Sequence, residues 1–141
     1  MRSRCTVAGV AVALLALAAP AAFAAPYSGN LGTATFKGKA TFTDYVPDFD
    51  QVACVKSKNL PKLPKENVAG LNLPQYGDQN ASSVNCGVVL LVTGPKGSVK
   101  VQIVDVDTDG KKGDLNLDRA AFAKIGAINN GIEKISWAVA P

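Results

Sequence analysis

Residues 93–126 read TGPKGSVKVQIVDVDTDGKKGDLNLDRAAFAKIG, and this stretch decides the fold because it supports two readings that lead to different chemistry. As a local motif, Asp105, Asp107, Asp109 and Gly110 spell D-x-D-x-D-G, the opening of a loop in which alternate side-chain oxygens wrap a hard cation. The twelfth position of that loop takes a bidentate Glu. Here it is Asn116, which offers one neutral oxygen, and Lys111 and Lys112 place two positive charges inside the loop. Ahead of it, Val99, Val101 and Ile103 alternate with polar residues, a period of two that predicts a strand where this loop type takes an incoming helix. The expectation is no metal, with the acidic run serving as a solvated turn.

Working outward, runs rich in Val, Ile, Thr and Phe predict strands over residues 33–43, 51–55, 67–71, 87–93, 98–104 and 132–139. Gly94-Pro95-Lys96-Gly97 predicts a hairpin turn, and Asn129-Asn130-Gly131 supplies residues that tolerate positive φ. One short helix is expected over 118–125, with Asp118 capping its first turn, alanines at 120, 121 and 123, and Gly126 as its stop. Phe122, Ile125 and Trp137 read as core.

The order of these motifs resembles the barrel domain of expansins and expansin-like bacterial proteins. The T-G-P-K-G-S-V turn and strand, the D-L-x-L segment and A-F-A-K-I-G carry the likeness. So do Gly38-Lys39-Ala40-Thr41-Phe42-Thr43, the V-A-G-L-N-L-P-Q-Y-G segment at 68–77 and Ile135-Ser136-Trp137. The resemblance implies an all-β fold, a single six-stranded double-psi β-barrel with one short helix, expansin- or barwin-like, over residues 25–141. It places Thr41 and Thr43 on the family's groove threonines and Asp105 on a groove aspartate. In the following loop the family's aromatic is replaced by Asp107, and its acid is kept in kind as Asp109. The carboxylate that the family needs for wall loosening falls on Asn116. An amide neither takes nor gives a proton at neutral pH, so general acid or base work at that point is lost.

Residues 1–24 carry Arg2 and Arg4, an apolar run over 7–19 and then Ala22-Phe23-Ala24, the pattern of a secretory signal peptide cleaved after Ala24. The run is too short for a spanning helix, so no membrane association is expected and the product is secreted. Residues 25–141 suit one domain. Losing Arg2 and Arg4 trims the 15 basic residues towards the 11 acids, and no aromatics interleave with them, so nucleic acid is not an expected partner. Charge is segregated instead, with Lys56, Lys58, Lys62 and Lys65 in one segment and the aspartates from 105 to 118 in another. Cleavage leaves Cys54 and Cys86, a lone pair in an oxidising compartment, and one disulfide is the natural outcome.

The chain has no His, which removes Ser-His-Asp and Cys-His nucleophile systems and the usual zinc ligands together. Only carboxylate chemistry remains, and no catalytic residue or cofactor is assigned. Stand-alone barrels of this family also occur as secreted inhibitors of papain-like cysteine proteases, and the length, signal and single disulfide are similar. That resemblance implies reversible inhibition by loop insertion, with a transglutaminase as a further partner that cross-links the protein. Two proline-stiffened loops would make the contact: Leu60, Pro61, Lys62, Leu63 and Pro64 in one, Tyr45 and Phe49 in the other. The alternative is a cell-wall polysaccharide-binding or wall-loosening domain using Thr41, Thr43, Asp105, Asp109 and Asn116.

Overall fold

The computed structural model describes residues 27–44 and 51–141. In chain order these form β1 (Phe36–Thr43), β2 (Val68–Asn72), α1 (Leu73–Tyr76), β3 (Val89–Gly94), β4 (Gly97–Asp107), β5 (Leu115–Asp118), α2 (Arg119–Ile125), a 3-10 turn (Ile128–Asn130) and β6 (Glu133–Val139). The six strands close into a barrel in the order β1-β5-β2-β4-β3-β6. Two of the pairings are parallel, β1 with β5 and β2 with β4, and the other four are antiparallel. The parallel pairs require long crossovers, so neither can arise from a local hairpin. Among the described residues no helix is long and apolar enough to cross a membrane.

Period-two patterning explains the walls. In β6, Glu133, Ile135 and Trp137 turn inward, and along β4 Val99, Val101 and Ile103 do the same. Trp137 stacks at 4.5 Å on Phe36 of the neighbouring β1. Its indole N–H donates to Gly113 O at 2.7 Å. That carbonyl reaches inward only because Gly38 has no side chain; a Cβ there would collide with it. At one end α2 inserts Phe122 and Ile125 into the core, with the Phe122 ring 4.8 Å from Phe42. The β3–β4 hairpin turns through Gly94 and Gly97, as the Gly-Pro-Lys-Gly sequence predicts.

Three local expectations need correction. Residues 51–55 are not a strand: they run through turns held by local bonds such as Val55 N to Val52 O, with Cys54 N reaching Val104 O at 3.1 Å. The sixth strand is β5, four residues long, whose alternation of Leu115 and Leu117 with polar residues carries meaning only once β1 and β2 flank it. Asp118 does not cap α2; its carboxylate accepts Val68 N at 2.7 Å and ties the start of the helix to β2. In the turn before β6 only Gly131 has positive φ, +71°, and neither Asn129 nor Asn130 does.

The Cys54–Cys86 disulfide is formed, with Cα atoms 5.6 Å apart and a sequence separation of 32. Both cysteines are buried against Tyr76, whose hydroxyl lies 3.7 Å from Cys86 Sγ and donates to Ala81 O at 3.1 Å. Burial pushes that phenol above its ordinary range. The crosslink pins the irregular stretch 51–67 ahead of β2, whose described hydrogen bonds are mostly local turns.

Candidate functional site

The parallel register of β1 and β5 sets Thr41 directly opposite Asn116. Asn116 then makes two side-chain bonds to β1. Its Nδ2 donates to Thr41 Oγ1 at 2.9 Å, and its Oδ1 accepts from Thr43 Oγ1 at 2.7 Å. The amide is thereby held in one orientation. Thr41, having accepted a bond, keeps its own O–H proton for an outside partner, and Thr43 keeps an oxygen lone pair.

Two depressions meet over this network. One, of about 280 Å³, is lined by Lys39, Thr41, Asp107, Asp109, Asp114 and Asn116, with Gly110, Leu115 and Ile132 completing it. The other, of about 320 Å³, is lined by Thr43, Gly70, Asp105, Val106, Asp107, Thr108 and Asn116. Asp107 and Asn116 belong to both, so the two form one open polar groove across β1, β5 and the end of β4. The five groove residues expected from sequence, Thr41, Thr43, Asp105, Asp109 and Asn116, all line it. Lys39, Asp107, Thr108 and Asp114 line it as well and were not among those expected, although the place of Asp107 in D-x-D-x-D-G marked it.

The acids of the groove differ in how they are held. Asp105 Oδ1 accepts Ala53 N at 3.0 Å and Val106 N at 2.9 Å. Asp114 accepts Lys39 N at 2.8 Å through Oδ1 and Lys111 N at 3.1 Å through Oδ2. Asp107 Oδ1 takes a long bond from Asp109 N at 3.3 Å, and the Gly110 backbone also bears on the carboxyl. Burial pushes the Asp107 carboxyl above the ordinary carboxylate range, against the opposing pull of the Asp109 and Gly110 backbone, and the Asp109 and Asp114 charges add to the rise. Among the described residues no group of three or more acid, thiol or imidazole side chains is placed to hold a metal ion.

The proposed inhibitory loop presents a different face from the one expected. Leu60 is core, 1% exposed, and cannot serve as an apolar anchor for a protease groove. Its neighbours hold it there: Leu60 N donates to Ser57 O at 3.2 Å and Asn59 Nδ2 donates to Tyr27 Oη at 2.8 Å. The Asn59 carbonyl also presses onto Gly87 where a Cβ would collide. Leu63 is half-buried against the core, while Pro61 and Lys62 are exposed and Pro64 is half-buried. Tyr45 and Phe49 lie outside the described residues.

No protein-family model matches the chain. Over 115 residues it is 31% identical to Expansin-YoaJ of Bacillus subtilis (strain 168), covering 82% of this chain and 41% of that protein. A Clavibacter michiganensis expansin, solved as a mutant in complex with cellohexaose, superposes with a TM-score of 0.58 at 32% identity over 77% of this chain and 51% of that one. The fold is the expansin-like double-psi β-barrel. The expansin-like barrel thus spans about half or less of the length of these two relatives. The Streptomyces papain inhibitor superposes with a TM-score of 0.60 at 19% identity, covering 79% of this chain and 98% of that one; at that identity the likeness is one of fold. Both neighbours therefore share the barrel, and the higher identity lies with the expansins.

Proposed function

We propose that this protein is a secreted, non-hydrolytic glycan-binding barrel whose groove over β1 and β5 takes a β-glucan chain of a cell wall. The observation that carries the reading is the pre-oriented Thr41–Asn116–Thr43 network on the floor of an open polar groove. Sugar hydroxyls both donate and accept, and this floor offers a free hydroxyl proton, lone pairs and a row of carboxylates in fixed positions. The 31–32% identity to expansins, one of them holding cellohexaose, supports the substrate class. The non-hydrolytic part of the reading rests on Asn116, whose amide can neither take nor give a proton at neutral pH. Isothermal titration with cellohexaose and pull-down on insoluble cellulose test this. Saturable binding without release of reducing sugar is expected; absence of binding to either material refutes it.

A second reading, reversible inhibition of papain-like cysteine proteases, is favoured by the Streptomyces papain inhibitor, a chain this barrel covers almost end to end. With Leu60 in the core, the contacts offered by the 60–64 loop reduce to Pro61, Lys62, Leu63 and Pro64, beside Tyr45 and Phe49 of the other loop. Titration of papain activity with the purified protein decides it: stoichiometric loss of activity supports inhibition, and full activity at a large excess excludes it.

A further inference from the structure

On the outside of the barrel β1, β6, β3 and β4 lie side by side, and their outward positions form one wall. The alternation that turns Ile135, Trp137 and Val101 inward turns Lys37 and Lys39 of β1, Lys134 of β6 and Lys100 of β4 outward, and all four are exposed. Over the described residues 37–39, 134–138, 89–93 and 98–102 no Asp or Glu is present. Glu133 points inward, where it accepts Ala127 N and Asn130 Nδ2. Asp114 stands at the β5 border, held by the backbone N–H groups of Lys39 and Lys111. The ion pair found among the described residues, Arg119 with Asp44, lies at the start of α2 and neutralises none of these lysines.

Two features of the register set the pattern. Lys39 sits directly opposite Lys134, a like-charge pair that costs stability and that an anion lying over both would relieve. One step along, Lys37, Ser136, Thr93 and Ser98 stand in a single row across all four strands, about 14 Å over three strand spacings. Thr93 and Ser98 share a bond of 2.7 Å; whichever donates, the other's proton remains for an outside oxygen, and Ser136 adds a further hydroxyl.

We propose that this wall is a docking surface for a phosphodiester polymer of the polyol-phosphate kind, lying across β6, β3 and β4 with its phosphates over the four lysines. Ammonium and hydroxyl groups are single donors that turn freely, which suits a tetrahedral phosphate whose oxygens point in several directions. The planar Arg fork that matches a carboxylate two-to-two is absent from the wall, so a polyuronate is the poorer fit. Nucleic acid shares the phosphate, but its bases need outward rings to stack on, and Trp137 is turned inward against Phe36. The polymer's carbon backbone finds apolar contact on Val89 and Leu91, both outward on β3. Beyond Lys39 the aspartates of the groove repel a polyanion, which keeps it on this wall, and binding here is independent of what the groove holds.

The test is calorimetric titration of the protein with deacylated poly(glycerol phosphate), with polygalacturonate and with duplex DNA of matched charge, in dilute and in concentrated salt. Poly(glycerol phosphate) should bind in dilute salt, be released by concentrated salt, and shift the backbone NMR signals of Lys37, Lys100, Lys134 and Ser136. Lys37→Gln/Lys100→Gln/Lys134→Gln should bind about tenfold more weakly. Lys56→Gln/Lys58→Gln/Lys65→Gln removes the same charge from the loop ahead of β2 and should stay within about twofold of the native protein. No binding of poly(glycerol phosphate), or an equal loss in the two triple variants, overturns the assignment. So does polygalacturonate or DNA binding as tightly as the phosphate polymer.

Discussion

Thr41 and Asn116 face each other across β1 and β5, and the bond between them runs from the amide to the hydroxyl, Nδ2 to Oγ1 at 2.9 Å. Its direction matters. With a carboxylate at 116 both threonines would have to donate, leaving neither hydroxyl proton for a sugar. Asn116→Asp should therefore reverse the Thr41 bond, leave the melting temperature within a few degrees because two neutral bonds are replaced by two charge-assisted ones, and supply a carboxylate at the position to which the expansin resemblance assigns one. Weakening of cellulose paper by Asn116→Asp, with none by the native protein, is the expected result. Equal action by both would show that the amide is no impediment.

Leu60→Ala should destabilise the fold by about 2–5 kcal/mol and lower the melting temperature by about 10 °C, since it opens a cavity under the loop. Pro61→Ala and Lys62→Ala, on the exposed rim, should stay within about 0.5 kcal/mol. Thermal melts of the three variants separate the structural part of this loop from its accessible part. A Leu60→Ala protein as stable as the native one would contradict the packing described.

Loss of the Cys54–Cys86 crosslink should cost about 3–4 kcal/mol on the chain-entropy account for a loop of this length. Cys54→Ser/Cys86→Ser should unfold at correspondingly lower denaturant, and the native protein should show no alkylatable thiol until it is unfolded and reduced. Modification of both cysteines in the folded, unreduced protein would be incompatible with the buried bond.

Asp107 carries a pH signature in stability. Its carboxyl is raised in the folded state, so folding takes up a proton in the window between the ordinary aspartate value and the raised one. Stability from this group is present below that window and falls as pH rises through it. Asp107→Asn should remove the decline and be the more stable protein at pH 7, by well under about 1 kcal/mol because the group is partly solvated. Denaturant midpoints from pH 4 to 7 on both proteins measure it; parallel curves would show that the raised value is not felt by the fold.

The strands legible in the sequence were those with enough length to show a period: β1, β4 and β6 each alternate over seven or more residues, and the Gly-Pro-Lys-Gly hairpin announces β3 and β4 as partners. Residues 51–55 and β5 show where that signal fails. Val52 and Cys54 are buried, as strand alternation requires, but their backbone turns locally. In β5, four residues are too few to distinguish a strand from a loop, and parallel pairing with β1 across some seventy residues of chain lies beyond any local pattern.

Composition alone determined what this protein cannot do with histidine chemistry, and motif order determined the barrel, because both depend on which residue types occur and in what succession. Which side chains face outward was a tertiary decision. Leu60 reads as an exposed anchor between prolines, yet it is drawn into the core because the disulfide and Gly87 bring its loop onto the barrel wall. Asp107 reads as one acid in a solvated run, yet the closing of β4 against β2 and the bareness of Gly110 seat it at the centre of the groove. A side chain's chemistry is written in its own residue, but its desolvation and partners come from segments far away in the chain, and these exist only once the barrel has closed.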